Sequence, residues 1–375
     1  MFYHIFTDRD ATIYEKYPER NTGIDQILQL TKIASGSLLN GFYQANTYNT
    51  RILIDFKSQL TEVSNSIVNG DIPTPSHSPS GSQYFLNLKA IDANSLPISY
   101  SIVAYPLSQS WENGTGYFND VPEDKEGVSW KYRRGSTGWA SGSQLNEDGG
   151  GGTTEGGGGS WTTGSYGSAS FNYQSPDVRM NITDIVKNWF NGTRENHGLI
   201  IKRPTVDEQS SKTFGSIGFF SKDTNTVYVP KLEIGWSDYD ESGTGSFSQL
   251  SDDNVTVYFK NLRPKYKEKD QVKIRVVGRK TYPTKTYSTA SFYSTIERLP
   301  TSSYYSVKDA STEETIIPFD DKYTQISCDT SGNYFKIRFN TFFPERTYKF
   351  LIRTKEDGGS TIRTYDNGYY FKVMR

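Results

Sequence analysis

The chain has 375 residues, a formal net charge of −1, and a composition rich in Tyr (27) and Phe (21) but poor in Met (3), His (3) and Cys (1). A single cysteine excludes an intrachain disulfide framework and any multi-thiolate metal site, and the length gives room for two or three domains with cores of their own. Abundant aromatics alongside 33 Gly favour pleated strands joined by turns.

The opening stretch MFYHIFTDRD has no basic head followed by an apolar core, so no secretory signal is expected and synthesis in a reducing cytoplasm is. Strands are predicted at ATIYEKY, TRILIDF, QYFLNLKAI and ISYSIVAYPL, with alternation clearest where Leu86, Leu88 and Ala90 oppose Phe85. GIDQILQLTKIASGSLL fits a helix as well as a strand. Gly70–Ser82 is a Pro/Ser loop, and Asn146–Ser160 is a Gly-rich insertion read as a solvated loop or lattice contact; it lacks the Lys-Ser/Thr end of a phosphate-binding loop. The longest apolar runs fall far short of the roughly 20 residues a membrane helix needs, so no membrane insertion is expected.

The strongest helical signal is NITDIVKNWFNG. Ile182, Ile185, Val186, Trp189 and Phe190 recur at helical spacing on one face. Thr183 is the expected cap, Asp184 lies near the positive end of the dipole, and Asn191-Gly192 supplies the stop. A helix this short is marginal alone, so it is expected to lie across a sheet, with Trp189 and Phe190 sealing one end of a sandwich. Strands follow at HGLIIKR, SIGFFSK and PKLEIGW.

The acidic stretch Ser237–Asp253 coincides with a change of charge sign. Residues 1–250 hold 19 Lys+Arg against 27 Asp+Glu, a balance of −8; residues 251–375 hold 22 against 15, a balance of +7. The expected organisation is therefore a first domain at 1–237, a linker at 238–253 and a second domain at 254–375. Oppositely charged halves point to complementary contacts between units or copies. Beyond the linker, about seven short strands from VTVYFKNL to GYYFKVMR match the count of an immunoglobulin-like sandwich. In FFPERTYKFLIRT, the turn before Tyr348 resembles a tyrosine corner. Cys328, in the strand-like run YTQISCD, reads as a small buried thiol.

Few residues offer chemistry. His4, His77 and His197 are far apart in sequence and fit no metal-ligand spacing. Glu112, Glu123, Asp124 and Glu126 are read as solvated acids rather than a glycosidase pair. No Gly-x-Ser-x-Gly turn occurs. No catalytic residue, cofactor or metal is therefore expected. Trp111, Trp130, Trp139 and Trp161 fall close together among polar residues, and are candidates for core, for anchors at a protein interface, or for a glycan platform. The basic run KNLRPKYKEKDQVKIRVVGRK is read as a solvated sheet face or subunit contact rather than a nucleic-acid site.

The order of signals over residues 10–236 resembles the DNRLRE-type (disaggregatase-related) β-sandwich, a jelly-roll-like domain close to carbohydrate-binding modules. The resemblance is carried by DATIYEKYPERNTG, RILIDF, YFLNLKAI, the Trp-bearing YPLSQSWENGTGYF with GVSWKYR, and ITDIVKNWFNGTRENHGLIIKR with FFSKDTNTVYVPKLEIGW. With MFYHIF, Tyr/Asn/Ser/Gly-rich strands, Gly-rich loops and the segment from YYSVKDASTEETIIPFDD to YDNGYYFKVMR, the chain also resembles virion structural proteins of large tailed bacteriophages. Together these imply an all-β protein, a jelly-roll-like sandwich with one short helix followed by an immunoglobulin or fibronectin-III-like sandwich. They imply a non-enzymatic virion component of the neck, collar, baseplate or tail, whose partners are other virion proteins and copies of itself. The alternative is an adhesin that grips a surface glycan.

Overall fold

A computed structural model describes all residues except 40–41, 141–156, 173, 242–246, 251–254, 283–296 and 357–360. The protein is nearly all β and divides into two compact units. One comprises Ile5–Ser78 with Ser82–Ile234; the other comprises Met1–His4, Pro79–Gly81 and Gly235–Arg375.

Strands β1 (Phe2–Phe6), β2 (Arg9–Tyr14), β3 (Ile27–Leu39), β4 (Phe42–Asp55), β5 (Gln83–Leu88), β6 (Ala90–Asn94) and β7 (Ser99–Pro106) come first. They are followed by β8 (Tyr132–Arg134), β9 (Thr137–Gly138), β10 (Gly167–Asn172), β11 (Val178–Asn181), β12 (Leu199–Lys202), β13 (Gly215–Phe220) and β14 (Lys231–Gly235). One sheet runs β1-β14-β5-β11. The larger runs β10-β7-β12-β4-β3-β13-β6, with β2 on β4; β8 and β9 form a small hairpin. In β5 the buried residues are Tyr84, Leu86 and Leu88, and this alternation fixes the register that sets Leu86 against Met180 and Leu88 against Val178. By contrast β12 is buried at every position, because the large sheet is covered on both faces. Ile52, Ile54, Leu199 and Ile201 lie on one face, while Leu53, Ile200 and Tyr105 share the other through cross-strand pairing.

The ambiguous segment GIDQILQLTKIASGSLL is strand β3. Leu28, Leu30 and Lys32 are buried alternately with more exposed Gln29 and Thr31, so the period of two prevails. A helix that the sequence signals did not indicate, α1 (Lys57–Val68), buries only Leu60 and Val63. Its first N–H groups are satisfied from outside: Lys57 N donates to Asp55 Oδ1 (2.9 Å) and Ser58 N to Asp8 Oδ2 (2.7 Å). The expected helix is α2 (Thr183–Phe190), and a single turn, α3 (Thr205–Glu208), brings the described helices to three rather than one. Within α2, Ile185 and Val186 are fully buried and Phe190 meets the Tyr84 ring edge-on at 6.2 Å. Trp189 and Phe190 are only half-buried, so sealing falls chiefly to the aliphatic residues. Thr183 is not the cap. Its hydroxyl accepts from Tyr84 N (3.0 Å), tying helix to β5, and Asn181 Oδ1 accepts from Thr183 N (2.9 Å) instead. Gly192, at φ +68°, ends the helix as expected.

The other unit holds β15 (Val255–Phe259), β16 (Lys265–Lys267), β17 (Gln271–Lys280), β18 (Ser303–Asp309), β19 (Thr315–Ile317), β20 (Ser327–Asp329), β21 (Gly332–Arg338), β22 (Thr347–Glu356) and β23 (Thr361–Met374). Two sheets, β15-β17-β21-β20 and β16-β23-β22-β18-β19, form an immunoglobulin-like sandwich, with β16 parallel to β23. Aromatic rings from both sheets fill it: Phe335 lies 5.5 Å from Phe350 and stacks on Tyr305 at 4.2 Å. The Tyr348 hydroxyl donates to the Phe343 carbonyl five residues back (3.1 Å), which is the tyrosine corner. Phe2 adds an edge-on contact to Tyr323 (5.1 Å), and Asn340 Nδ2 donates to the Tyr3 hydroxyl (2.9 Å). Cys328 is buried in β20, and burial pushes its thiol pKa up.

Candidate functional site

The four tryptophans singled out in the sequence lie together, between 1 % and 5 % exposed. They form one apolar cluster with Ala11, Ile13, Leu53, Leu107, Val128 and Ile200. Trp111, Trp130, Trp139 and Trp161 therefore cover the second face of the large sheet and present no open ring for a sugar. Their indoles are tied to backbone: Trp111 Nε1 donates to the His197 carbonyl and Trp139 Nε1 to the Ser129 carbonyl, each at 3.0 Å.

Beside this cover the sheet buries three cations around Glu208, two of them on its carboxylate. Arg51 donates to both oxygens of Glu208 (3.0 and 2.9 Å), and Lys202 Nζ lies 2.7 Å from Oε2. Lys32 Nζ donates to the Glu208 main-chain carbonyl. Burial lowers the pKa of both lysines, against the opposing pull of nearby carboxylates, Glu208 among them. The Arg51 guanidinium stands 4.7 Å from the Trp130 ring and 4.9 Å from Trp161, and Lys202 5.1 Å from Trp161, so indole faces help to solvate the charge. The end of the Gly-rich insertion closes over this cluster. Gly158, at φ +76°, accepts from Arg51 through its carbonyl, and any Cβ there would strike the guanidinium. Described residues Gly157–Ser160 are thus buried rather than solvated; the remainder of Asn146–Ser160 lies outside the described residues.

The resemblance motifs also have structural tasks. Asn21, fully buried, donates to the carbonyls of Asn113 (2.7 Å) and Val128 (2.8 Å) and accepts from Gly23 N (3.2 Å) and Gly116 N (2.8 Å). It staples the loop that carries the tryptophans, and a Cβ at Gly23 would collide with the Asn113 carbonyl. Asp10 accepts from Lys222 N (2.7 Å), while its other oxygen is buried without a partner, and burial raises its pKa to about 7.

The remaining acids and histidines serve locally. Glu123 pairs with Arg20 (2.6 Å), Asp124 accepts from Glu126 N (2.8 Å), and Glu112 lies 4.0 Å from Arg134. His77 lies 3.2 Å from Asp184 and His197 3.2 Å from Glu195, while His4 is buried. Among the described residues no three His, Cys, Asp or Glu side chains converge as metal ligands, and no helix is long and apolar enough to cross a membrane.

A different set of residues forms an open cleft of 410 Å³ where β7, β10 and α3 meet. Tyr100 and Phe171, cross-strand partners, stack at 4.8 Å, and half-buried Phe214 forms another wall. Asp207 from α3 and Asn172 and Ser170 from β10 supply polar lining. Arg203, 1 % exposed, stands 5.6 Å from the Tyr100 ring and 5.7 Å from Phe214. Its Nη2 donates to the Phe214 carbonyl (2.8 Å), whereas Nε and Nη1 have no partner, and neither has the Tyr100 hydroxyl. Burial lowers the Arg203 pKa, opposed chiefly by Asp207. Sequence reasoning did not single out these residues: β7 and β10 are joined by pairing between distant segments, and GSASFN, with one apolar ring among small residues, is a weak strand signal. No protein-family model matches the chain, and no curated protein matches it.

Proposed function

We propose that the protein is a non-enzymatic structural component of a tailed-bacteriophage virion, in the neck, collar, baseplate or tail-associated decoration, acting through protein–protein contacts in a symmetric assembly. The observation that carries this reading is the β3–β4 ribbon. β3 pairs with β13 only up to Lys32, and β4 pairs with β2 and β12 only from Thr50 onward. Between those points, residues 33–39 and 42–48 pair with each other. Among the described residues this stretch stays two-stranded for seven residues, roughly 23 Å. An isolated two-stranded ribbon is at best marginally stable in water, and its open edges accept further strands; a neighbouring subunit meets both needs. The change of charge sign along the chain supports the same reading, since complementary surfaces orient neighbours. Electron microscopy of intact particles with this density assigned is the direct test. Finding the protein free and monomeric in infected cells, and absent from particles, defeats the proposal.

A second reading, a carbohydrate-binding adhesin, is favoured by one observation: the cleft at Tyr100, Phe171 and Phe214, which combines aromatic walls with polar groups.

A further inference from the structure

A ligand for the β7–β10–α3 cleft must satisfy groups of opposite demand at short range. The Asp207 carboxylate only accepts hydrogen bonds when ionised; Asn172 and Ser170 both donate and accept. On the Tyr100–Phe214 wall, the Tyr100 hydroxyl and two Arg203 nitrogens are buried without partners, and Tyr100 itself is only 8 % exposed. These atoms lie behind the wall, out of reach of a molecule in the cleft, so the polar demand of the site is that of Asp207, Asn172 and Ser170. Of the three aromatic rings lining the cleft, Tyr100 and Phe171 are buried against each other, and half-buried Phe214 is the one that calls for an apolar surface on the same molecule.

Charge narrows the class further. Arg203, buried behind the Tyr100 and Phe214 rings, offsets the charge of Asp207 in the cleft lining, so the site leaves no net charge for a ligand to balance and Asp207 disfavours an anion. A purely apolar ligand leaves the carboxylate unsolvated. A pyranose ring fits all of these demands: adjacent hydroxyls that donate and accept, C–H faces that lie on aromatic carbon, and no net charge. We infer that this cleft binds a neutral pyranose unit of a glycan, with Asp207 and Asn172 holding adjacent hydroxyls and Phe214 under the ring. The inference deepens the adhesin reading and relocates it from the tryptophans, which are buried, to a site 71 residues apart along the chain at the Tyr100–Phe171 pair.

The test is calorimetric titration of the full chain with three sets of probes: neutral hexose and pentose oligosaccharides, oligosaccharides bearing uronic or sialic acid, and cyclohexanol as an apolar ring. Saturable binding confined to neutral sugars is expected. Asp207→Asn and Phe214→Ala each weaken it by about ten-fold or more, the loss of one charge-assisted hydrogen bond or one ring contact. Tyr100→Phe removes only a buried hydroxyl that has no partner, so it leaves the melting temperature unlowered and sugar binding unchanged. Preference for acidic sugars or for cyclohexanol, binding indifferent to Asp207→Asn and Phe214→Ala, or no saturable binding in any set overturns the inference. Because the titration uses purified protein, its result is independent of whether the chain is found in particles.

Discussion

Replacing Glu208 by Gln leaves Arg51 and Lys202 buried beside the tryptophans with their shared carboxylate gone. Breaking a buried ion pair from one side costs about 3–5 kcal/mol, so Glu208→Gln is expected to lower the urea midpoint by that equivalent. A loss under about 1 kcal/mol means that the cations find other acceptors. Asp10 acts in the opposite sense. Its pKa of about 7 lies above that of an unfolded aspartate, about 3.9. The folded state therefore holds the proton more tightly, and stability falls as pH rises from about 4 to about 7. Asp10→Asn cannot ionise and keeps an acceptor for Lys222 N. It is expected to be more stable than the parent at pH 8, with a flatter stability profile across that window in chemical denaturation. An unchanged profile disproves the assignment.

Shortening the β3–β4 ribbon isolates its role from that of the sheet. Joining Ser35 to Asn46, which are register partners, through an Asn-Gly turn removes the outer pairs and keeps every pair made with β2, β12 and β13. The expected variant folds with an unchanged melting temperature yet is depleted from purified particles; normal incorporation removes the ribbon from the assembly reading. Elements of this kind were visible in the sequence to different degrees. α2 was legible because five apolar residues keep helical spacing, and the corner at Tyr348 because its turn and alternation are local. α1 was hidden because only Leu60 and Val63 face inward, and its start is set by Asp8 and Asp55 rather than by a residue of its own. The role of Asn21 was equally hidden, because its partners Asn113, Gly116 and Val128 lie some 90 residues or more further on. The cleft was illegible for the same reason, since its walls come from three separated segments and its polar groups are individually ordinary.

Across the whole molecule, the division into units does not follow chain order. Met1–His4 group with Gly235–Arg375, where Phe2 packs against Tyr323 and Tyr3 bonds to Asn340. Phe2→Ala is expected to cost that unit about 3–5 kcal/mol. Hydrogen exchange then shows protection lost from β18, β21 and β22 while β4, β7 and β12 stay protected; equal loss in both sets contradicts the assignment of Phe2. The same connection bears on how the chain is made. Residues 2–4 leave the ribosome more than 300 residues ahead of Tyr323 and Asn340, so they wait a long time for their partners. Such long sequence separations slow folding. A pulse-labelled nascent chain truncated before Tyr323 should therefore leave Phe2 open to protease, and a chain extended beyond Asn340 should shield it.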